Sequence, residues 1–279
     1  MHTKTDRSIK ITKKQFDLII GTTMGDGTLT KSRNKRKTAS VRFTHSYKQE
    51  AYCRCKGNIL DSMSNHGCEL KTYYVKDRGV DYTTCRYTSI YTKEIYNLYD
   101  MFYSNGVKII TEEICKTFNP MILAYWYMDD GSIEVCKQKR NGKLHYIGNR
   151  LNFHTNCFSI PECELMAKTL NDKFGLSFRI KELGGKNTGQ TILQTKSRKS
   201  IESFIKIIEP FVIPEMQYKL KCAYTKPMRK TYTDNQILRM VKILHPTRRK
   251  DLIKYKRGVW LYEAIRYRFG SIENAIKEL

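Results

Sequence analysis

Two short apolar segments of the chain end on an aspartate followed by a glycine. The first, residues 19–27, carries Asp26, and the second, residues 123–131, carries Asp130. Each segment predicts an apolar helix with a carboxylate at its end, where the helix dipole is negative and cations are preferred. Two such ends, about a hundred residues apart, indicate that both carboxylates share a positive partner such as a metal ion.

Capping residues support both predicted helices. Thr12 and Gln15 fit a capping box ahead of the first segment. Asn119 is a good N-cap for the second segment, and Pro120 suits its first helical position. We also expect Gly27 to take the left-handed conformation that ends many helices. The pattern therefore predicts the start of each helix as well as its end.

Small residues predict that the two helices pack side by side. Gly21 and Gly25 lie four residues apart, on one face of the first helix. A face without side chains lets another backbone approach closely, and Ala124 is the matching small residue that we expect on the second helix. In that arrangement Asp26 and Asp130 arrive together at one end of the pair.

The pattern after each aspartate repeats in the same order. In the first half, the predicted segments are a basic stretch 31–37, a strand at 41–44, a helix at 48–64, strands near 73–75 and 85–88, a helix at 93–103 and a closing segment at 106–108. In the second half, they are a basic stretch 137–143, a strand at 151–154, a helix at 161–174, strands near 177–180 and 191–194, a helix at 199–208 and a closing segment at 214–219. We interpret each half as helix, strand pair, helix, strand pair, helix. The predicted fold class is therefore α+β, with domains at 1–110, 111–225 and 226–279.

The charge of the chain favours a nucleic-acid partner. Its 279 residues contain 51 Lys plus Arg against 27 Asp plus Glu, a formal net charge of +24. Such an excess suits either nucleic acid or an anionic membrane. Because the chain has no run of about eighteen apolar residues, nucleic acid is the predicted partner and a membrane is not.

Cations alternate with apolar residues in the strand-like segments. Phe178 and Ile180 share one face of such a strand, and Arg179 and Lys181 share the other. A half-buried antiparallel sheet shows such cations on its open face, and a two-stranded ribbon can enter the major groove of DNA. The candidate DNA-binding residues are Lys31, Arg33, Lys35, Arg36, Lys37, Arg42, Arg86, Lys137, Lys139, Arg140, Lys143, Arg179 and Lys181.

The cysteines form no recognisable metal-binding motif. Nine are scattered along the chain without paired CxxC clusters. Cys53 with Cys55, and His154 with Cys157, come nearest to the spacing of zinc ligands. Buried free thiols in a reducing compartment are the favoured interpretation.

Residues after about 226 form a separate basic segment. Helical patterns cover residues 232–241 and 260–269, a last short helix follows Gly270, and cations cluster at 248–257. Two hypotheses fit this tail: a small helical DNA-binding module, or a helical extension packed on the second half.

The two motif segments resemble those of the LAGLIDADG homing endonucleases, of the monomeric two-repeat type. Residues 123–132 are the sharper match. Together with Phe158-Ser159, Phe174-Gly175 and residues 214–220, they are similar to the branch that contains the mitochondrial omega-intron endonuclease. The resemblance covers about residues 12–225 and leaves the tail outside.

This resemblance implies a fold and a partner. Two αββαββα halves would be related by a pseudo-twofold axis, with the motif helices at the central seam. Their antiparallel sheets would form a saddle on the major groove of double-stranded DNA with a long, asymmetric target site. The protein would be a monomer acting inside the cell, in bacterial or phage-infected cytoplasm or in an organelle matrix. The chain starts directly before the first repeat, which argues against an intein.

The resemblance also implies catalytic residues. Asp26 and Asp130, one from each motif, would bind a divalent metal, Mg²⁺ or another such as Mn²⁺. Metals held by carboxylates can activate water, stabilise charge on phosphorus and help the departing oxygen. Lys108 and Lys219, one from each half, would support phosphodiester hydrolysis. Asp129 stands where other branches prefer a small residue. Two interpretations fit it: a partner that supports the catalytic residues, or a polar residue at the helix end, which we favour.

Other interpretations of the second motif fit less well. Residues 127–130 spell the Tyr-Met-Asp-Asp of reverse transcriptases, but that motif needs a β-hairpin, and Asn119-Pro120 favours a helix. An EF-hand needs further oxygen ligands after Asp130 at the required spacing, and these are absent. Two alternatives of the same fold remain: a DNA-binding protein that does not cleave, and an RNA maturase that binds its intron RNA.

Overall fold

Two units make up the chain, and the larger one contains both motifs. The units are residues 1–223 and residues 224–279. A computed structural model of the chain describes residues 9–33, 36–140, 142–222, 233–255 and 258–279. Each unit is considered by itself below.

Both halves of the larger unit have the same order of elements. The first half consists of α1 (Lys13–Met24), β1 (Thr28–Lys31), β2 (Ala39–Ser46), α2 (Glu50–Ile59), β3 (Cys68–Val75), β4 (Val80–Thr88), α3 (Lys93–Phe102), the short strands β5 (Tyr103–Ser104) and β6 (Val107–Lys108), and α4 (Glu112–Thr117). The second half consists of α5 (Pro120–Asp130), β7 (Gly131–Arg140), β8 (Lys143–Phe153), α6 (Ile160–Phe174), β9 (Arg179–Glu182), β10 (Thr191–Thr195), α7 (Arg198–Ile208) and a 3₁₀ segment (Pro214–Leu220).

The two four-stranded sheets share one topology. Their strand orders are β1-β2-β4-β3 and β7-β8-β10-β9, with antiparallel neighbours throughout. This confirms the predicted α+β fold of two αββαββα repeats. β1 begins two residues after Asp26 and β7 directly after Asp130. β7 runs into the basic segment at 137–143, where charged residues obscure the apolar alternation by which a strand is recognised, and β1 has only four residues.

The starts of the motif helices are as predicted, but the end of α1 is not. Thr12 and Gln15 form the capping box of α1, and Asn119 caps α5 by accepting hydrogen bonds from two backbone amides at 3.0 Å. α1 ends at Met24, and Gly27 is not in the left-handed region. Glycine is needed there for another reason: a Cβ at Gly27 would lie 2.6 Å from the Thr22 carbonyl oxygen.

The predicted glycine face of α1 does pack against α5. A Cβ added at Gly21 would lie 2.7 Å from the Ile122 carbonyl oxygen and 2.8 Å from Tyr125 Cβ. One at Gly25 would lie 2.5 Å from Asp129 Cβ. The residues that face the glycines are therefore large, and the expectation of a small partner at position 124 was wrong. Because α1 lacks side chains at the seam, α5 can carry bulky ones.

One hydrophobic core runs through both halves of this unit. It contains buried residues from both motif helices and both sheets. Trp126 of α5 stacks on Phe153 of β8 with ring centroids 3.9 Å apart, and Phe43 of β2 stacks on Tyr87 of β4 at 4.9 Å. Each sheet thus buries one face, and the motif helices pack against these buried faces.

The smaller unit has a core of its own. Its helices are α8 (Asp234–Leu244), α9 (Arg249–Ile253), α10 (Gly258–Phe269) and α11 (Ile272–Lys277). Ile237, Val241, Leu261 and Ile265 form the centre of that core. The helices predicted in the tail are confirmed, and α9 is an additional one within the basic segment. Among the helices of the described residues, none combines the length and apolarity needed to cross a membrane.

Candidate active site at the ends of the motif helices

Asp26 and Asp130 lie at the ends of the two packed helices. Asp26 occupies the turn between α1 and β1, and Asp130 is the last residue of α5. Burial, followed by the negative charges of Asp26 and Asp129, raises the pKa of Asp130 to about 7. Burial and the charge of Asp129 likewise raise the pKa of Asp26. The structure therefore brings the two predicted acids into one cluster of mutually repelling carboxylates.

Removing one of these charges should stabilise the protein. An acid whose pKa in the folded state lies above its ordinary 3.8 takes up protons on folding, so stability falls as the pH rises from about 4 to about 7. Without divalent metal, we expect Asp130→Asn to unfold at a higher urea concentration than the wild type at about pH 8, and the difference to shrink at about pH 5. Urea unfolding at both pH values measures this. A variant no more stable than the wild type at the higher pH would contradict the raised pKa.

Two predicted lysines bind the carbonyl groups at the helix ends. Lys108 Nζ donates to the carbonyl oxygens of Thr23 at 2.8 Å and of Gly27 at 3.0 Å. Lys219 Nζ donates to that of Met128 at 2.6 Å. A helix end leaves such carbonyls without intrahelical partners and attracts cations. Each motif helix therefore has its own lysine at the same place.

The scaffolds that hold the two lysines differ. Lys108 lies on the short strand β6, opposite Tyr103 of β5. Lys219 lies in the 3₁₀ segment, where its carbonyl oxygen accepts a hydrogen bond from the Tyr127 hydroxyl at 2.7 Å. Burial lowers the pKa of both lysines, while the charges of the neighbouring aspartates raise it. The two ammonium groups therefore sit close to the acid cluster.

Asp129 is a buried partner of residues from α1 and α2, so the structure supports the less favoured of its two interpretations. Its side chain is fully buried. One carboxylate oxygen accepts from the Thr22 hydroxyl at 2.8 Å, and the other accepts from the Tyr52 hydroxyl at 2.8 Å. Lys56 Nζ donates to both oxygens, at 3.0 and 3.3 Å. Asp129 thus links α5 to α1 and α2 beside the acid cluster.

Lys56 itself is completely buried, with 0% of its side chain exposed. Besides Asp129, its ammonium group donates to Thr22 Oγ1 at 2.8 Å. It also lies 4.5 Å from the ring centroids of Phe43 and Tyr52. Sequence patterns did not predict this lysine as a site residue. The available signal was its spacing of four residues from Tyr52, which places both on one face of α2.

His45 of β2 lies between two of the carboxylates. Its Nδ1 is 3.6 Å from Asp26 Oδ2, and its Nε2 is 3.9 Å from Asp129 Oδ1. Burial, followed by the charge of Lys56, lowers the pKa of His45 to about 4. The ring is therefore neutral at neutral pH. Sequence patterns did not predict it, because the position of β2 beside the motif helices depends on tertiary packing.

The acids present fit a divalent metal. Asp26 exposes 44% of its side chain, so its carboxylate is accessible. His45 and Asp129 offer possible ligand atoms within 4.8 Å of it, but the Asp129 oxygens are already bonded to Lys56 and two hydroxyl groups. Of the two motif acids, Asp26 belongs to this group of possible ligands and Asp130 does not. Carboxylate oxygens are hard ligands of the kind that Mg²⁺ prefers.

Four of the predicted DNA-binding cations lie on the open faces of the sheets. In the first sheet, Arg42 and Arg86 lie on the face opposite the buried Phe43, according to the β2–β4 register. In the second, Arg179 and Lys181 are exposed and alternate with the inward Ile180. The alternation expected for residues 178–181 is confirmed.

The remaining cations are placed differently. Lys31 lies on the helical side of its sheet, with Nζ 4.7 Å from the Tyr99 ring centroid and 3.8 Å from Asp100. This placement contradicts its expected role on the DNA-facing side, because β1 alternates and residue 31 shares the face of the buried Leu29. Exposed cations in the β1–β2 connection and on β7 are Arg33, Arg36, Lys37, Lys137 and Lys139. Lys35 lies outside the described residues, as do the side chains of Arg140 and Lys143.

A family model and a solved structure match the larger unit. The model of the "LAGLIDADG DNA endonuclease family" matches residues 16–204. The chain is also similar to "The homing endonuclease I-WcaI bound to its DNA recognition sequence", with a TM-score of 0.65 and 28% sequence identity. That match covers 76% of this chain and 88% of the other.

Curated relatives resemble the chain over about three quarters of its length. "Probable intron-encoded endonuclease 1" of Wickerhamomyces canadensis is 29% identical over 213 residues, which are 75% of this chain and 85% of that protein. "Cytochrome b mRNA maturase bI2" of Saccharomyces cerevisiae is 27% identical, covering 74% and 47%. "Protein RecA" of Mycolicibacterium chitae is 26% identical, covering 76% and 47%. The chain thus spans about half the length of several relatives that it matches.

Proposed function

Because the chain belongs to the LAGLIDADG DNA endonuclease family, we propose that it is a homing endonuclease that cuts both strands of a specific double-stranded DNA site. One observation supports this most strongly. Asp26 and Asp130 act on each other electrostatically at the ends of packed helices, and Lys108 and Lys219 bind those same ends. Retained acids at both motifs favour cleavage over binding alone.

Asp26 and Asp130 would hold the metal, Mg²⁺ or another divalent ion such as Mn²⁺. When bound, a divalent ion supplies an activated water and stabilises the charge that develops at phosphorus and on the leaving oxygen. Asp129 does not compete for it, because Lys56 neutralises that carboxylate. His45 lies 3.6 Å from Asp26 and, because its ring is neutral, adds no positive charge beside that carboxylate.

Lys108 and Lys219 act as positively charged groups near the scissile phosphates. Their hydrogen bonds to backbone carbonyls fix each ammonium group at its helix end. Fixed donors aimed at developing negative charge stabilise a transition state without reorganisation. Since one lysine belongs to each half, each would serve one DNA strand. A single chain supplies both, so the active form is a monomer.

The open faces of the two sheets contact the DNA. I-WcaI, the structural relative, is bound to its DNA recognition sequence. In this chain the first sheet presents an aromatic pair, Tyr73 and Tyr82, with ring centroids 5.6 Å apart. The second presents a hydrogen-bonded set in which Asn152 contacts Glu134 and Gln194 at 2.9 and 2.7 Å. Because the two faces differ in chemistry, the target site should be asymmetric.

A library cleavage experiment tests the proposal directly. The purified chain is incubated with randomised or genomic DNA and Mg²⁺, and the cut ends are sequenced. Recurrent paired ends at one sequence are the expected result. DNA that is bound specifically but left intact in both Mg²⁺ and Mn²⁺ would instead identify a non-cleaving protein of the same fold.

DNA affinity should depend steeply on salt. The formal net charge of +24 and the cations on both open faces imply extensive phosphate contact. If six or more phosphates are neutralised, affinity should fall by roughly 10³-fold or more between 50 and 200 mM salt. Fluorescence anisotropy with a labelled duplex across that range measures the slope. A constant affinity would remove the electrostatic part of the proposal.

A second candidate function is RNA maturation. The match to the maturase of Saccharomyces cerevisiae favours it, and the same basic surface could bind intron RNA. Splicing of an intron that contains the coding sequence, measured with and without the protein, tests this role. Faster splicing with the protein is expected of a maturase, and unchanged splicing would exclude it.

A further inference from the structure

Three cysteine side chains from separate elements of the first half meet in its interior. Cys53 comes from α2, Cys68 from the start of β3 and Cys85 from β4. Their sulfur atoms all lie within 4.8 Å of one another, and the Cys53–Cys68 distance is 4.0 Å. Cys53 and Cys85 are fully buried, while Cys68 is partly exposed. Their spacing in sequence gave no sign of this cluster, which we call the thiol cluster.

The dimensions of the thiol cluster suit three-coordinate metal binding. A metal–sulfur bond of about 2.3 Å at the centre of an equilateral triangle requires sulfur atoms about 4.0 Å apart. The Cys53–Cys68 separation has this length. The other pairs, at 4.8 Å or less, must close by at most about 0.8 Å. Cys68, the first residue of a strand and partly exposed, is the side chain best able to make that adjustment.

Two features of α2 favour thiolates at this place. Gly57 leaves room for Cys68, because a Cβ at Gly57 would collide with the Cys68 sulfur. The positive charges of Arg54 and Lys56, both on α2, act on the Cys68 thiol. The same two cations offset part of the negative charge that several thiolates would bring into the interior. The cluster therefore has an accessible sulfur, space and nearby positive charge.

We propose that Cys53, Cys68 and Cys85 form a three-thiolate binding site for a soft cation, Cu⁺. Thiolates select soft ions such as Cu⁺. Zn²⁺ in a structural site takes four ligands, and among the described residues no fourth Cys, His, Asp or Glu joins the cluster. On binding, each sulfur that becomes a thiolate releases one proton to solvent, and the copper keeps its oxidation state. The proposal does not depend on DNA cleavage.

Occupancy of this site would also stabilise the helix that supports the active site. Cys53 lies beside Tyr52 in α2 and one turn before Lys56, and both of these residues donate to Asp129. A metal bond to Cys53 therefore restrains the helix that carries them. Because an ion that binds only the folded chain stabilises it by mass action, Cu⁺ should raise the urea midpoint of the wild type.

A competition assay with the full-length chain tests the site. Cu⁺ is added anaerobically to the reduced protein in the presence of a chromogenic Cu⁺ chelator, and the copper retained per chain is measured. We expect one tightly held Cu⁺, accompanied by thiolate-to-copper absorption in the ultraviolet. Affinity should fall by about tenfold or more in Cys68→Ser, since even outer-shell changes around a metal cost that much. Cys136→Ser is the matched control, because Cys136 is a partly exposed cysteine on β7.

A matched pair of variants at buried cysteines, together with an alkylation experiment on the wild type, distinguishes loss of the site from misfolding. Cys85→Ala should lose the copper while Cys115→Ala, which is equally buried, should keep it. In the wild type, Cu⁺ should protect Cys68 from alkylation while the exposed Cys157 still reacts, as read by mass spectrometry. Equal affinity in the Cys68 and Cys136 variants, or no protection of Cys68, would overturn the site. Tighter retention of Zn²⁺ than of Cu⁺ would overturn the choice of cation.

Discussion

Replacing Asp26 or Asp130 with asparagine should reduce DNA cleavage by about 10³-fold or more, because a bound metal supplies several kcal/mol of transition-state stabilisation. In the proposed mechanism each acid provides one carboxylate to the metal, and Asp129 cannot replace either because it is already bonded to Lys56. DNA binding should be largely retained. Asparagine has nearly the same size, and the sheet faces that contact DNA are unchanged.

The two activities are best measured separately. Cleavage is followed with excess enzyme and a duplex carrying the target site in Mg²⁺, and binding by fluorescence anisotropy without divalent metal. Asp172→Asn is the matched control, since Asp172 is an exposed aspartate on α6 away from the motif helices. If the double variant Asp26→Asn with Asp130→Asn still nicked the duplex at the wild-type rate, the assignment of these acids would be wrong.

The repeat architecture could be predicted from the sequence because its determinants are local. Capping residues such as Thr12 and Asn119 act within one turn of their own helix. Glycine at positions 21 and 25 indicates that another helix packs closely there, whichever helix it is. The identity of that partner was not predictable. Whether α5 presents Ala124 or Tyr125 to the seam depends on the rotation of one helix against the other, which tertiary packing sets.

The partners of Asp129 could not be predicted from the sequence. Carboxylates are rarely buried unless they are paired, and the sequence gives no sign of a partner for Asp129. Its partner Lys56 is 73 residues away, and no periodicity connects the two positions. The position of Lys31 was not predictable for a related reason: alternation decides the face of a strand, but β1 has only four residues and was not predicted as a strand.

The seam is asymmetric although the fold is repeated. Gly25, directly after α1, and Asp129 of α5 precede the two acids and face each other. Glycine on one side makes room for a carboxylate on the other, and that carboxylate in turn requires a buried cation. Lys56 of the first half supplies it. The buried carboxylate of Asp129 thus depends on two residues elsewhere, Gly25 for space and Lys56 for charge. These three residues should be regarded as one unit.

Lys56→Met should destabilise the protein by about 3–5 kcal/mol, because it leaves the Asp129 carboxylate buried without its cation. Asp129→Asn should also destabilise, since it leaves the ammonium of Lys56 unpaired. The double variant should lose less stability than the sum of the two, because neither charge then remains. Urea unfolding at neutral pH measures all three, with Lys48→Met as the control for an exposed lysine. If the loss of stability in the double variant equalled the sum of the two single losses, the Lys56–Asp129 contact would contribute nothing to the free energy of unfolding.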